Sequence, residues 1–424
     1  MKKYFLLTFG CQMNKSDSER IAALIENFGY RPALKIDRAD LIIVNMCSVR
    51  QSAVDRIYGL GQKFPELKER NPKIKTILTG CVLKKDKKNF ESIFNFILDI
   101  KDLAKWPKFL SFNPKLKKIV APKYSNNFSA FLPISNGCNN ACTYCVVPFT
   151  RGALACQDHR QILKEAKKLI EKGFKEIWLL GQNVNDYRSP IDSSFNFQSL
   201  LKAINKIPGN FWIRFTSPHP KNFSKELIKT MAKCQKLTPY LNLPIQSGDN
   251  QILKKMNRSY TATQYKNLVK DIKTAFKKER EGLEKEVAIS TDIIVGFPDE
   301  TKKQFQKTLK LIKDVGFDMA YIAQYSPRPG TLASKTKEKI PQKEKEKRWK
   351  EATNLLEKIA EKKNKKFLHK IIDVLVEEKK NGFFVGKSRH HKTVKFKAKN
   401  CLLGSFSKAK ITKISSFGLE GKLL

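Results

Sequence analysis

A short segment with three closely spaced cysteines constrains this chain more than any other feature. Cys138, Cys142 and Cys145 have C-x3-C-x2-C spacing and follow an extended apolar segment at 131–134. Three thiolates this close on one loop suit one face of an iron–sulfur cube, and they leave the fourth iron open for another ligand. A structural zinc site needs four ligands, and the next cysteine, Cys156, is distant. Zinc binding and unpaired thiols remain the alternatives to a cluster on this first cysteine trio.

Length and composition indicate a globular protein of several domains. The 424 residues suffice for two to four domains, and 41% of them are hydrophobic. No apolar run approaches the roughly 18 residues of a membrane span, and the amino terminus is too short and polar for a signal peptide. The nine cysteines favour ligands and free thiols over a disulfide framework. We therefore expect a cytoplasmic protein without a membrane association.

The charge balance indicates a polyanionic partner. The chain holds 83 Lys and Arg against 40 Asp and Glu, a formal net charge of +43. A general bias toward lysine is the alternative explanation, because lysines are spread over almost every segment. Residues 361–424, however, hold 17 basic against 5 acidic side chains, about twice the average basic excess of the chain. This enrichment favours a phosphate-binding surface near the carboxyl terminus.

The first third of the chain alternates apolar strands with helices, which predicts a Rossmann-like parallel α/β domain. The predicted strands are 4–8, 40–45 and 75–79, and the predicted helices are 16–28 and 49–63. Cys11, Cys47 and Cys81 each follow a strand by two or three residues. Because the carboxyl ends of parallel strands meet at one edge, this second cysteine trio predicts a second three-ligand site. Taken singly, each would more often be a buried structural cysteine.

A second α/β pattern begins after a poorly patterned connector at about 85–130. Its predicted strands are 131–134, 176–180, 211–215, 240–243, 288–295 and 319–323. Six strands separated by helices predict an incomplete TIM-like (β/α)6 barrel, with chemistry at the mouth formed by the carboxyl ends. Polar segments follow four of these strands, as expected for the lining of one pocket.

The carboxyl-terminal end begins with one predicted long helix from Pro341 to about Lys366. Its packed stripe is predicted at Trp349, Leu356, Ile359 and Lys363. Short β-patterned runs follow at 372–377, 383–386, 393–396 and 408–414. Their spacing predicts a small five-stranded barrel of the kind that binds oligonucleotides.

The residues around the cysteines resemble the radical SAM (S-adenosylmethionine) methylthiotransferase family. The resemblance rests on the segments 137–139, 145–152, 8–14 and 45–50, and on polar segments in the barrel that include 256–258 and 325–331. The form Cys11-Gln12-Met13-Asn14 is similar to the branch that acts on isopentenyl-adenosine in tRNA. The family differs after Gly152, where it usually has a Glu and then a Ser-Arg pair. Here the segment Ala153–Gln157 lacks those charges, which predicts altered SAM binding or weak activity.

The resemblance implies three domains and their cofactors. They are a methylthiotransferase α/β domain at 1–120, a radical SAM barrel at 131–360 and a TRAM domain, an OB-like β-barrel, at 361–424. It also implies two 4Fe-4S clusters, one on each cysteine trio, with SAM on the open iron of the first. The implied SAM contacts are Gly181, Gln182, Ser217 and Gln246. The expected RNA contacts are Lys387, Arg389, Lys395 and Lys397.

The implied activity is thiomethylation of isopentenyl-adenosine in tRNA at carbon 2, since an aromatic C–H needs radical chemistry from a cofactor. The expected partners are the tRNA anticodon stem-loop, a one-electron donor such as flavodoxin or ferredoxin, and a sulfur donor or cluster-repair system. We expect a monomer. The alternatives are a methylthiotransferase for threonylcarbamoyl-adenosine or for a ribosomal-protein aspartate, and a non-catalytic iron–sulfur RNA-binding protein.

Overall fold

The computed structural model describes residues 1–49, 51–110, 121–398 and 401–424. Its amino-terminal strands are β1 (Lys3–Thr8), β2 (Arg31–Pro32), β3 (Leu41–Cys47), β4 (Lys75–Cys81) and β5 (Phe96–Ile97). The helices are α1 (Gln12–Asn27), α2 (Gln51–Gly61), α3 (Phe64–Arg70), α4 (Lys84–Phe90) and α5 (Trp106–Phe109). The strands form one parallel sheet in the order β2-β1-β3-β4-β5. The predicted parallel α/β arrangement is confirmed.

Two predictions for this region need correction. Strands β3 and β4 continue to Cys47 and Cys81 themselves, because the parallel ladder extends through the buried pair Met46 and Gly80. The segment 84–110 is not a connector, since α4, β5 and α5 pack on the sheet and Trp106 is only 1% exposed. The predicted domain end at residue 120 lies outside the described residues.

The central part is an incomplete barrel of six parallel strands, as predicted. These strands are β6 (Ser129–Pro133), β9 (Glu176–Leu180), β12 (Trp212–Phe215), β13 (Tyr240–Asn242), β14 (Ala288–Val295) and β15 (Met319–Gln324). They form two three-stranded sheets, joined by a parallel bridge between Ile213 and Leu237. Short strands lie outside this order, namely β7 (Ser135–Asn136), β8 (Ala155–Cys156), β10 (Arg188–Ser189) and β11 (Asp192–Asn196).

Helices cover the outside of this barrel and bury its apolar strand residues in one large core. They are α7 (His159–Glu171), α8 (Phe197–Lys206), α9 (Lys225–Lys233), α10 (Asn250–Lys255), α11 (Ala262–Glu279), α12 (Lys302–Val315) and α13 (Gln342–Asn364). The short helix α6 (Val147–Thr150) lies against β4 of the amino-terminal sheet instead. The predicted stripe of α13 is partly wrong. Its buried face includes Arg348, Ala352 and Leu356, whereas Trp349 is 37% exposed. The spacing of apolar residues cannot predict that an arginine lies on the packed face. Arg348 is buried there because it pairs with Glu300.

The carboxyl-terminal strands close into a barrel in the order β16-β17-β18-β20-β19. They are β16 (Ile371–Lys380), β17 (Phe383–Ser388), β18 (Thr393–Lys397), β19 (Phe406–Ile414) and β20 (Gly418–Leu423). The predicted five-stranded barrel is confirmed. Four of its strands match the predicted β-patterned runs, and β20 is the fifth, which the pattern does not predict. It buries only Leu419, so its sequence lacks the apolar alternation of a strand. No helix in the described ranges is long and apolar enough to cross a membrane.

A buried arginine joins the central barrel to the carboxyl-terminal barrel. Arg214 on β12 is 1% exposed, and its Nε donates to Glu176 Oε1 at 2.5 Å. Its other nitrogens donate to the main-chain oxygens of Ser388 and Arg389, at 2.8 and 3.0 Å. One guanidinium thus satisfies groups in both barrels and fixes how they dock.

We predict that Arg214→Met destabilises the protein by about 3–5 kcal/mol, because it leaves the buried Glu176 carboxylate without a cation to balance its charge. Urea unfolding followed by tryptophan fluorescence measures the loss. The control is Lys408→Met, which breaks an ion pair with Asp373 on the protein surface and should change stability little. Equal losses of unfolding free energy in the two variants would contradict the conclusion that Arg214 joins the two barrels.

We also predict an acid-sensitive contact at His390, which lies 3.1 Å from the carbonyl oxygen of Leu283. Burial lowers the pKa of His390 from 6.5 to about 3. The unfolded chain therefore binds a proton that the folded chain does not, and stability falls as the pH drops from 6.5 toward 3. The slope for one group is at most about 1.4 kcal/mol per pH unit.

His390→Gln keeps an N–H donor for Leu283 but does not titrate, so it should flatten the decrease in unfolding free energy between pH 7 and pH 5. The matched control is His369→Gln, at an exposed histidine. If both variants keep the slope of the wild type, His390 is not a source of the acid sensitivity.

Candidate cluster and cofactor site

The first cysteine trio lies in the loop between β7 and α6, at the carboxyl-end mouth of the barrel. Main-chain bonds hold this loop in place, from Cys138 N to Gly152 O at 3.1 Å and from Thr143 N to Met256 O at 3.2 Å. The side chain of Asn257 also donates to Ala141 O at 2.8 Å. The loop that follows α10 therefore supports the cysteine loop from the side.

Each sulfur of the first trio accepts at least one N–H group. The donors are Asn140 N and Nδ2 to Cys138 at 3.4 and 3.5 Å, Arg258 Nη1 to Cys142 at 3.5 Å, and Val147 N to Cys145 at 3.5 Å. Burial raises the pKa of the Cys145 thiol to about 12. A bound metal would supply the positive charge that deprotonates such a thiol, and the N–H groups would then stabilise the thiolates.

A polar cradle lies beside this loop. Gln182 Oε1, just after β9, accepts from Gly137 N at 2.5 Å. Three nearby side chains have buried oxygens without a partner among the described residues, namely Ser135 Oγ, Asn136 Oδ1 and Asn183 Oδ1. Unsatisfied buried oxygens mark a place that suits a polar ligand. The residues present therefore fit a cofactor with donor groups, as the amino group of SAM would provide.

The four predicted SAM contacts all follow strands at the mouth. Gly181 and Gln182 come after β9, Ser217 after β12 and Gln246 after β13. Ser217 and Gln246 have φ values of 53° and 76°, which non-glycine residues rarely adopt. Such conformations are typical of ligand-binding loops that the surrounding structure holds in place. The structure brings the first two residues to the cysteine loop, while contact of any of the four with SAM stays a prediction.

The structure brings the second cysteine trio to one edge of the amino-terminal sheet. Cys47 and Cys81 are register partners at the ends of β3 and β4, and Cys11 is the residue just before α1. Cys11 Sγ donates to Asn14 Oδ1 at 3.3 Å, and Asn14 Nδ2 bonds to Asn45 Oδ1 and to the Met46 carbonyl oxygen. A fully buried asparagine pair thus holds the cysteine loops together.

Gly80 shows how closely the strand ends approach one another. Its φ is +96°, and a Cβ atom there would lie 2.3 Å from Asn45 Oδ1 and 2.4 Å from the Met46 carbonyl oxygen. Only glycine fits this position, because both the backbone conformation and the space exclude a side chain.

No group of three His, Cys, Asp or Glu side chains in the described ranges is arranged to hold a single metal ion. In a cube, three cysteines bind three different irons, so the ligands of a cluster need not converge on one point. Cys156 on β8 and Cys234 pack against the barrel core, and Cys401 lies by the carboxyl-terminal barrel. None of these three cysteines belongs to either trio.

The segment with the altered family pattern supports the first trio through its backbone. Ala155 and Cys156 pair with Asn136 and Ser135, and Leu154 N bonds to Asn139 Oδ1 at 2.9 Å. Backbone groups therefore anchor this segment to the cysteine loop without the side-chain charges that the family usually has.

The predicted RNA contacts divide into two pairs. Arg389 Nη2 donates to the Gln235 carbonyl oxygen at 2.6 Å and to Glu284, while Lys387 Nζ donates to Thr393 Oγ1 at 2.8 Å. The ammonium groups of Lys395 and Lys397 instead lie 3.9 and 5.2 Å from the ring centroid of Phe383.

Sequence reasoning gave no role to Asn14, Asn45, Arg151 or Arg258, which contact the cysteines or their loops. All four lie in the motifs that carry the family resemblance, and this position is the one feature of the sequence that could have indicated a functional role. Their contacts are long-range, and spacing along the chain does not reveal them.

We predict that Gly137→Ala abolishes iron binding by the first trio. Gly137 has a φ of +80°, and a Cβ there would lie 2.1 Å from the Ala153 carbonyl oxygen. The clash displaces the cysteine loop. Iron per chain after anaerobic reconstitution measures the effect, in a background with the second trio changed to alanine. Gly173→Ala is the matched control, with a φ of +89° and nothing within 4 Å of its Cβ. Equal iron in both variants would contradict the prediction.

Comparison with known proteins identifies the family of the chain. Residues 132–312 match the model described as Radical SAM superfamily, and residues 3–99 match the one described as Uncharacterized protein family UPF0004. A Clostridium novyi (strain NT) protein named tRNA-2-methylthio-N(6)-dimethylallyladenosine synthase is 37% identical, over 100% of this chain and 97% of the relative. A protein of the same name from Acetivibrio thermocellus is 37% identical, over 100% of this chain and 91% of the relative.

Solved structures agree in fold. The radical S-adenosylmethionine methyltransferase TsrM from Kitasatospora setae, with tryptophan substrate and a SAM analog bound, matches with a TM-score of 0.54 and 12% identity. That match covers 76% of this chain and 73% of TsrM. At this identity the likeness concerns the fold alone. The full-length identity to the clostridial relatives and the two matching family models show that the chain belongs to the radical SAM tRNA-2-methylthio-N(6)-dimethylallyladenosine synthase family.

Proposed function

We propose that this protein transfers a methylthio group to carbon 2 of N6-dimethylallyladenosine, also called isopentenyl-adenosine, in tRNA. The observation that carries the proposal is the identity of 37% over the whole chain to a synthase of that name. The two sites support it, because the three cysteines of each trio lie at the carboxyl ends of a parallel sheet or barrel.

The cysteines of the first trio would hold one 4Fe-4S cluster and those of the second trio another. Bound clusters and SAM would supply the radical chemistry, since the C2–H bond of adenine is too inert for acid–base catalysis. Gln182 orients the cysteine loop through Gly137 N, and Arg258 places a positive charge beside Cys142. We propose Gly181, Gln182, Ser217 and Gln246 as the SAM contacts.

Apolar packing behind the first trio would keep water from the reacting groups. Tyr144 lies between Cys142 and Cys145 in the sequence. It packs against a group of buried apolar side chains that includes Met256, Phe297 and Tyr325. Exclusion of water protects a radical from side reactions. On this proposal, the chain contributes positioning and a dry pocket.

The carboxyl-terminal barrel would bind the tRNA near the anticodon stem-loop. Phe383 with Lys395 and Lys397 offers an aromatic ring flanked by two cations, which suits an unpaired base and its phosphates. Lys387 and Arg389 remain proposed contacts of the same barrel. We further propose that the protein works as a cytoplasmic monomer with a one-electron donor such as flavodoxin or ferredoxin and with a sulfur donor or cluster-repair system.

The proposal predicts that cells lacking this gene lose 2-methylthio-N6-dimethylallyladenosine and retain the unmodified dimethylallyladenosine. Mass spectrometry of tRNA nucleosides measures both. The wild-type gene should restore the modification, while Cys142→Ala should leave it at background, because one cluster ligand is missing. Cys234→Ala is the matched control and should restore it, since Cys234 belongs to neither trio.

Other outcomes would contradict the proposal. Selective loss of the methylthio group on threonylcarbamoyl-adenosine would indicate a methylthiotransferase for that nucleoside. Loss of methylthio-aspartate from a ribosomal protein would indicate the methylthiotransferase for that protein. If no modification changes and the purified protein binds tRNA without SAM cleavage, the protein is an RNA-binding module.

A further inference from the structure

A buried arginine from the central barrel reaches into the second cysteine site. Arg151 follows α6, six residues after Cys145 of the first trio, and its side chain is 3% exposed. The side chain reaches into the amino-terminal domain. The segment that carries the first trio thus also supplies a charge to the second trio.

Arg151 makes two direct contacts in that domain. Its Nε donates to Cys81 Sγ at 3.1 Å, and its Nη2 donates to Asp17 Oδ2 at 2.6 Å. Asp17 lies on α1 and is 8% exposed. Burial raises the pKa of Asp17, and the neighbouring guanidinium opposes this rise. The buried guanidinium of Arg151 therefore bridges a cysteine sulfur and a carboxylate in a region with little solvent.

Hydrogen bonds to cysteine sulfur and nearby charges are the main means by which a protein sets the reduction potential of a cluster. A cation favours the reduced cluster, because reduction adds one negative charge, and an anion disfavours it. These effects are larger in a buried site than in water. At Cys81 the positive charge of Arg151 therefore raises the reduction potential, and the negative charge of Asp17 partly offsets this increase.

We propose that Arg151 is a positioning residue that raises the reduction potential of the cluster on the second trio, and that Asp17 lowers it. This inference rests on the proposed function, which assigns a cluster to that trio. It implies that the second site has its full electrostatic environment only when the central barrel is docked on the amino-terminal domain.

Arg328 is a second cation near the second trio, but it makes no direct hydrogen bond to a cysteine sulfur among the described residues. Arg328, after β15, donates to Gln51 Oε1 at 2.6 Å and lies in the field of Cys47 and Asp86. Arg151 differs in donating directly to a cysteine sulfur, and so its removal should affect the cluster most.

A purely structural role for Arg151 is the competing explanation, because the Arg151–Asp17 pair also holds two domains together. The two explanations differ in sign. Removal of either partner breaks the same ion pair, so a structural role predicts similar effects of Arg151→Gln and Asp17→Asn. The electrostatic role predicts opposite shifts, a lower potential without the cation and a higher potential without the anion.

The test is a dithionite titration of the anaerobically reconstituted full chain at pH 8, monitored by EPR spectroscopy. Each step is the one-electron reduction of a cluster by the added dithionite. A variant with alanine at all three positions of the first trio assigns the signal of the second cluster. Arg151→Gln should lower the equilibrium constant for reduction at least tenfold, about 59 mV for one electron. Asp17→Asn should raise it, and Arg151→Lys should give a smaller decrease because it keeps the charge.

The matched control is Arg348→Gln, which breaks an equally buried pair with Glu300 in the central barrel. It should leave the potential of the second cluster unchanged. Shifts of the same sign in Arg151→Gln and Asp17→Asn, or an unchanged potential in Asp17→Asn, would overturn the inference. If Arg151→Gln fails to assemble the second cluster, Asp17→Asn and Arg151→Lys decide the outcome.

The same samples separate this inference from the proposed function. Iron and sulfide for only one cluster in the wild type would refute the second cluster and, with it, both the proposed chemistry and this inference. Two clusters with unmoved potentials would refute the inference alone.

Discussion

Parallel strands end at a common edge, and both cysteine sites depend on this constraint. In the amino-terminal sheet it makes Cys47 and Cys81 register partners although 33 residues separate them. In the central barrel it brings Gln182, after β9, to Gly137 N, and the Pro244 carbonyl oxygen, after β13, to Arg258, which donates to Cys142. The second trio comes from three separate segments, and the first trio, although contiguous, is supported by loops that follow other strands. Neither arrangement would form if a strand were inserted in the opposite direction.

Contacts between the two domains combine buried polar groups with a small apolar cluster, and the polar ones are costly to form and specific in geometry. Arg151 exchanges its hydration for a carboxylate and a cysteine sulfur, and Met13 on α1 packs against Trp178 and Leu180 of the barrel. A buried charge without a partner is strongly unfavourable, so these groups accept one arrangement of the domains. These contacts help to fix the placement of the two cysteine trios relative to each other.

Part of the large positive charge of the chain serves structural contacts, in addition to the proposed binding of RNA. Arg214 and Arg389 join the central barrel to the carboxyl-terminal barrel, and Lys392 pairs with the buried Asp318 at 3.1 Å. Arg214 and Lys392 are neutralised inside the protein and are not free to bind phosphate. A count of basic residues therefore overestimates the surface offered to a nucleic acid.

The sequence by itself determined the two cysteine trios, the parallel α/β domains and the small β-barrel. These features depend on local spacing, on strand periodicity and on motifs that stand in one segment. The sequence did not reveal that residues 84–110 complete the first sheet or that β20 closes the barrel, because those segments have weak apolar patterns. It also misplaced the packed face of α13, where Arg348 is buried by its ion pair.

Only the tertiary structure decided which charged and amide side chains serve the cysteines. Asn14, Asn45 and Arg151 act on groups that lie far away in the sequence, across strands or across domains. Their contacts follow from the docking of complete elements, which depends on the summed packing of many residues. Spacing along a chain carries information about neighbours in one element, and it carries none about a hydrogen bond between Arg151 and Cys81.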